Sequence, residues 1–309
     1  MSSEVDKLVE RAYTQIRHNH LHGAIESLRQ ALTLDADDAH AHALLAICLH
    51  DQKRLHAAEY ESRAALALNP DSGFVHYASA VVAIAQRRFK EAEKHLETAL
   101  SIDPTDAASL RRLAQLYVLW GRQNEALPLL TKARDIDPGD ADNWAALAEY
   151  HREMRDFSEA DRLVRRALEL EPENTDALLT MGHLLLQQGR TEEAREHALL
   201  VLRDNASHEG AIVLLAAVKA RRSVFLGLWW PFNSFFGAGS LTRRVVLLIG
   251  CYLAYRVAIL AVADLGYPQA ASPINIFWIA FCVYTWVGPV LFERQLRREL
   301  EPAKLDSRY

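Results

Sequence analysis

Eight histidines crowd the first quarter of the chain: His18, His20, His22, His40, His42, His50, His56 and His76. Imidazoles at short spacing are the usual material of a transition-metal site, and the run HNHLH at 18–22 is the densest cluster. Two observations argue against that chemistry. His22 and His56 are 34 residues apart, as are His42 and His76, so a repeat explains part of the crowding. No cysteine or carboxylate recurs beside them at a ligand spacing. The sequence therefore predicts turn and packing histidines, with no metal and no cofactor. Cys48, Cys251 and Cys282 form no spacing motif, which predicts no disulfide framework and suits a reducing compartment. A Gly-rich phosphate loop, HExxH, GxSxG and CxxC are all missing, so no enzymatic activity is expected.

The elements that carry these side chains follow one period. Ala24, Ala58, Ala92, Ala126, Ala160 and Ala194 fall at strict intervals of 34, and seven residues after each stand Ala31, Ala65, Ala99, Ala133, Ala167 and Val201. Five residues further on, Pro70, Pro104, Pro138 and Pro172 close the middle units, with Ala36 and Ala206 at the ends. Small side chains at fixed positions suit two amphipathic helices whose backbones approach closely. A proline then ends the second helix and fixes the turn into the next unit.

This pattern resembles the tetratricopeptide (TPR) repeat family over residues 5 to 222. The fourth unit matches through Leu113, Ala114, Tyr117, Gly121, Ala126 and Pro138, and the fifth through Trp144, Leu147, Ala148, Phe157, Ala160 and Pro172. The sixth has Gly182, Gly189 and Ala194. The resemblance implies an all-α fold, a right-handed TPR superhelix of six repeats at about 5–38, 39–72, 73–106, 107–140, 141–174 and 175–208. A capping helix to residue 222 would end it, giving a solenoid over 1–222.

In that family the first helix of each unit lines the concave face through its second, fifth, ninth and twelfth positions. Carried onto this chain, the first three units present Asp6, Val9, Tyr13 and Ile16, then His40, Ala43, Ile47 and His50, then Phe74, Tyr77, Val81 and Ile84. That is an apolar, aromatic trough. The next two present Ala108, Arg111, Gln115 and Val118, then Asp142, Ala145, Glu149 and Arg152, a surface of mixed charge. Relatives that grip a terminal carboxylate place Lys and Asn where this chain has Val9 and Tyr13, so that clamp is absent. The resemblance implies a protein or peptide partner, helical or extended, with apolar anchors.

Charge divides the chain. Residues 1–222 hold 27 Lys and Arg against 35 Asp and Glu, and residues 223–309 hold 8 against 5. A mildly acidic repeat region predicts no nucleic-acid partner, because phosphate binding needs a basic stripe. Residues 245–263 and 274–292 each run 19 residues with one charge and none respectively. At about 1.5 Å per residue each reaches about 28 Å, close to the roughly 30 Å of a bilayer core. They predict a transmembrane hairpin over 245–292. Arginines and lysine flank it on both outer sides, in 243–244 and in the basic tail 293–309, with none in the turn. The positive-inside rule then places both termini in the cytoplasm, and the polar start MSSEVDKLVER predicts no cleavable signal peptide. Between solenoid and hairpin, 223–244 is an aromatic segment with a basic end. Its Trp229, Trp230, Phe232, Phe235 and Phe236 suit the lipid headgroup layer.

Arg256 sits near the middle of the first stretch, with Asp264 eight residues on. Two readings stand: it snorkels to water, or it makes a polar contact with another integral membrane protein. Together these readings predict a scaffold anchored in a bacterial inner membrane, recruiting or assembling partners as an adaptor. The alternative is a receptor that captures hydrophobic or amphipathic client segments for insertion or secretion.

Overall fold

A computed structural model describes residues 2–18, 20–206 and 208–222, with isolated helical positions between 252 and 279. The described residues of 2–222 form thirteen α-helices and no strand. The chain divides into two compact units, Met1–Met181 and Gly182–Tyr309.

The first unit is a series of antiparallel helix pairs. They are α1 (Ser2–Arg17) with α2 (Leu21–Leu34), α3 (Ala39–Asp51) with α4 (Leu55–Leu68), and α5 (Gly73–Ala85) with α6 (Phe89–Ile102). Then come α7 (Ala107–Trp120) with α8 (Gln123–Ile136), and α9 (Ala141–Glu153) with α10 (Phe157–Leu170). Each first helix from α3 onward starts on an oxygen-bearing cap at the same place in the period. Asp38 accepts from the backbone N–H of His40 and Ala41, Ser72 from Val75, Asp106 from Ala108 and Ser109, and Asp140 from Asp142. These caps fix where each first helix begins.

The second helices end by a different device. The backbone N–H of Asp35, Asn69, Asp103, Asp137 and Glu171 bonds the carbonyl of Ala31, Ala65, Ala99, Ala133 and Ala167. Those alanines, with Ala24, Ala58, Ala92, Ala126 and Ala160, are buried to within 1% of complete. A longer side chain at any of them would push the paired helices apart. Between them Leu28, Leu96, Leu110, Leu147 and Leu163 fill the space as fully buried residues.

The turn inside the second, third, fourth and fifth pairs holds a left-handed residue. Gly121 supplies it at φ 83°, but Lys53, Arg87 and Arg155 take up φ 59–63° at the equivalent positions. A β-carbon is strained there, by about 1–2 kcal/mol each.

In the second unit α12 (Thr191–Asp204) packs on α13 (Glu209–Arg222), and α11 (Thr175–Gln187) runs across the division between units. Gly182 meets Leu214 so closely that a β-carbon would lie 2.4 Å from the leucine side chain.

The expected integral-membrane location, with its inner-membrane placement and cytoplasmic termini, is corrected. Among the described residues no helix is long and apolar enough to cross a membrane. Apolar composition over 19 residues is not sufficient; a crossing needs about 20 consecutive residues in one helix, so that every backbone group is bonded internally. The stretches 245–263 and 274–292 lie largely outside the described residues, as do 223–244 and the tail 293–309. What is described is a local pairing. The Tyr255 hydroxyl donates to Asn275 Oδ1 at 2.7 Å, and its ring stacks on Trp278 with centroids 4.7 Å apart. Arg256 is helical and exposed beside that contact. Trp229, Trp230, Phe232, Phe235 and Phe236 lie outside the described residues.

Candidate protein-binding face

The first helices of the Met1–Met181 unit bring four of the expected trough residues into one connected row. Tyr13 on α1 hydrogen-bonds its hydroxyl to His40 Nε2 on α3 at 2.7 Å, with ring centroids 5.8 Å apart. His40 lies 4.6 Å from Phe74 on α5, and Phe74 stacks toward Tyr77 one turn on, at 6.4 Å and 17°. The row crosses three repeats. His40 is exposed, while Tyr13, Phe74 and Tyr77 are half-buried, each keeping part of its ring open to solvent. Burial raises the Tyr13 hydroxyl above its ordinary pKa, with the charge of Glu10 adding to the effect. Burial likewise lowers His40, against the opposing pull of Asp38.

The other expected residues divide by what they already touch. Val9 and Ile16, like Tyr13 and Phe74 of the row, pack their inner sides on the core formed by Ala12, Leu28, Leu44 and their neighbours. Ile47 packs on Ala43, Val75 and Ala78. Ile84 is half-buried, whereas Val81 is 4% exposed and belongs to the core. Gln115 is exposed.

Arg111 is committed elsewhere. Its Nη1 reaches Asp140 at 2.6 Å and also bonds Asn143, and its Nη2 reaches Asp142 at 3.3 Å. Asn174 Nδ2 then donates to Asp142 at 2.8 Å, so one polar network ties the fourth repeat to the fifth and reaches the residue that caps α11. Farther along α9, Arg152 bonds Glu149, and Thr180 donates to Glu149 at 3.1 Å.

Sequence reasoning passed over Arg112. Its Nη2 donates to the Tyr77 hydroxyl at 3.1 Å, and its guanidinium lies 5.7 Å from the centre of that ring, so the row continues onto α7. The signal was an arginine one position beyond the expected one. Helical spacing alone could not show that its long side chain turns back to α5.

Two of the histidines have a structural task. His42 Nε2–H donates to the Ala36 carbonyl at 3.1 Å and His76 Nε2–H to the Pro70 carbonyl at 2.8 Å. In the fifth repeat the Trp144 indole does the same to the Pro138 carbonyl at 2.9 Å. A ring N–H thus pins the first helix to the preceding turn. The opposite ring nitrogens meet the second helix of the repeat: His42 Nδ1 lies 2.6 Å from Glu61, and His76 Nδ1 lies 3.0 Å from His95 Nδ1. Among the described residues, no group of three or more His, Cys, Asp or Glu is arranged to hold a metal ion.

Paired helices repeated at a fixed period, with one row of open side chains on the first helices, define a helical-repeat protein. Two family models, each described as Tetratricopeptide repeat, match residues 9–73 and residues 83–150 and 151–218. These matches cover more than half of the chain, which belongs to the tetratricopeptide repeat family. Its fold is similar to one in the crystal structure of the APC/C hetero-tetramer Cut9–Hcn1, with a TM-score of 0.62 and 15% identity. That match covers 86% of this chain but only 53% of the other. A TPR protein of Thermus thermophilus matches with TM-score 0.55 and 19% identity, over 59% of this chain and 99% of its own. PilW, a type IV pilus biogenesis factor, matches with 0.51 and 18%, over 68% and 98%. At these identities the likeness is one of fold alone. No curated protein matches the chain. TPR proteins generally mediate protein–protein interaction by binding peptides or proteins, and the fold is typically a non-enzymatic scaffold.

Proposed function

We propose that this protein is an interaction adaptor that holds a peptide segment of a partner protein along the row Tyr13–His40–Phe74–Tyr77. The segment is helical or extended and inserts apolar anchors. One observation carries the reading: aromatic side chains of three successive repeats touch one another in a line while their outer edges stay open. A ring with its inner side fixed by core packing has little freedom left to lose. A partner that covers its outer edge gains the burial at small entropic cost. Val9, Ile16, Ile47 and Ile84 are half-buried, and we assign them to the rim of the same trough. In this reading α13 closes the array at Arg222, through its packing on α12.

The test is selection of a displayed random-peptide library on the full chain. Peptides with apolar anchors at regular spacing are expected, and they should fail to bind a Tyr13→Ala/Phe74→Ala/Tyr77→Ala variant of unchanged helix content. Selected peptides that bind that variant as well as the parent would place the binding site elsewhere.

A further inference from the structure

Two consecutive arginines on α7 have opposite surroundings. Arg111 is neutralised by Asp140 and Asp142. Arg112 is held just as firmly, but by uncharged groups. Its Nη1 donates to the Gln115 amide oxygen at 2.7 Å, its Nη2 to the Tyr77 hydroxyl at 3.1 Å, and its guanidinium faces the Tyr77 ring. Among the described residues Arg112 forms no ion pair, although Arg88, Arg122, Arg152 and Arg165 each meet a carboxylate. It is half-buried, so part of its hydration is already gone. A guanidinium has five N–H donors in a rigid fork, and two are engaged here. The rest are aimed by a side chain that cannot swing freely, at the α7 end of the aromatic row. A partly desolvated cation fixed in place binds an incoming anion more strongly than a mobile surface one.

The other end of the row has the opposite sign. Glu10 and Asp6 are exposed one and two turns before Tyr13 on the same side of α1. The exposed Arg17 one turn after Tyr13 offsets one of these two charges, which leaves the row polarised with a net negative α1 end and a basic α7 end.

Resting on the peptide-binding reading above, we infer that the partner segment is itself polarised: apolar in its middle, with an Asp or Glu side chain at the end that meets Arg112 and a basic side chain at the end that meets Glu10 and Asp6. A helical segment would lie with its N-terminus toward α1 and its C-terminus toward α7, because its macrodipole has the same polarity. Arg112 then sets both the register and the direction of the partner, while the aromatic row supplies the affinity. The acid it reads belongs to a side chain within the segment.

The experiment compares one displayed library, with the peptide C-terminus joined to the coat protein, on the parent, Arg112→Gln and Arg112→Glu full-length chains. With no free C-terminus in the library, any preference for an acid comes from a side chain. The parent should enrich Asp or Glu on one side of the apolar anchors. Arg112→Gln should lose that preference while keeping the anchors, and Arg112→Glu should replace the acid by Lys or Arg. A synthetic peptide of the leading sequence should lose about tenfold in affinity when its acid is made Gln or when Arg112 is made Gln, and no further when both are changed. Arg112→Lys should recover part of the loss, which separates charge from folding. Acid preference that persists in Arg112→Gln, or anchors enriched with no acid on the parent, overturns the inference and leaves the peptide-binding reading standing. Enriched peptides indifferent to Tyr13, Phe74 and Tyr77 overturn that reading instead. Dimerisation of the parent that Arg112→Glu abolishes would show that a second copy, not a peptide segment, fills the row.

Discussion

The first helices of the Met1–Met181 unit present two kinds of surface. In the first three repeats the open side chains include a row of rings, tilted or stacked against one another and ended by a cation with no carboxylate. In the fourth and fifth they are charges that answer one another: Arg111 to Asp140 and Asp142, and Arg152 to Glu149. Opposite charges paired within one helix or across neighbouring helices close an electrostatic circuit inside the protein and leave little for a partner. Rings do not satisfy one another in that way, because their outer edges still meet water. The same backbone period thus yields one region suited to binding and one suited to holding repeats in register.

The sharpest way to break this contrast is to remove each half in turn. Replacing Tyr13, Phe74 and Tyr77 with alanine should lower affinity for a selected peptide at least a hundredfold, since buried aromatic anchors contribute about 2 kcal/mol or more each. Calorimetric titration would measure it, and an equal loss from changes in the charged half would erase the distinction. Arg111→Ala should do the reverse. It strands Asp140 and Asp142 in a partly buried network and should cost about 1–3 kcal/mol of stability in urea unfolding, with peptide affinity held.

Turn substitutions should treat both regions alike. At Gly121 nothing lies within 4 Å of an added β-carbon, so Gly121→Ala tests backbone strain alone and should cost about 1 kcal/mol. Arg87→Gly relieves the same strain at the equivalent turn, partly offset by the looser unfolded chain, and should gain about 0.5 kcal/mol. Thermal unfolding of the two variants gives both signs; two losses would mean that Arg87 makes a contact outweighing its strained backbone.

The smallest effect separates two neighbouring repeats within the aromatic half. Burial first, then the nearby His76, lowers the pKa of His95, with Lys94 and Arg88 acting in the same direction and Glu91 against. A histidine held neutral by the fold contributes stability above the ordinary imidazole value of 6.5 and loses it as pH falls through the lowered value. Stability should therefore decline on acidification. His40 and His197 are shifted in the same direction by partial desolvation and contribute to that decline. Repeat two has Glu61 where repeat three has His95. His95→Glu should copy that pair and reduce the acid loss without removing it. An unchanged pH profile would mean that the two imidazoles separate freely.

Much of this was legible in the chain, and what was not has a common cause. The alanines at 34-residue intervals fixed two close-packed helices per unit, because only a small side chain fits there in any stacking. The family resemblance, carried onto α1, α3 and α5, named Tyr13, His40, Phe74 and Tyr77 among the expected trough residues, and their rings lie in one row. The fate of long side chains could not be read that way. Arg111 and Arg112 are adjacent and identical in type, yet one is neutralised by residues 29 and 31 positions ahead and the other reaches Tyr77, 35 positions behind. Val81 matched the open face by spacing and is buried by its neighbours instead. Lys53, Arg87 and Arg155 hold left-handed turns that their residue types disfavour, because the packed helices on either side dictate the backbone between them. The apolar stretches after residue 244 show a related limit: composition measures affinity for an apolar medium, and among the described residues no helix is long and apolar enough to cross a membrane. Period and face are local properties of a helix and belong to the sequence. Which charges meet, and which are left for a partner, depends on distances between repeats and is decided only once the helices are stacked.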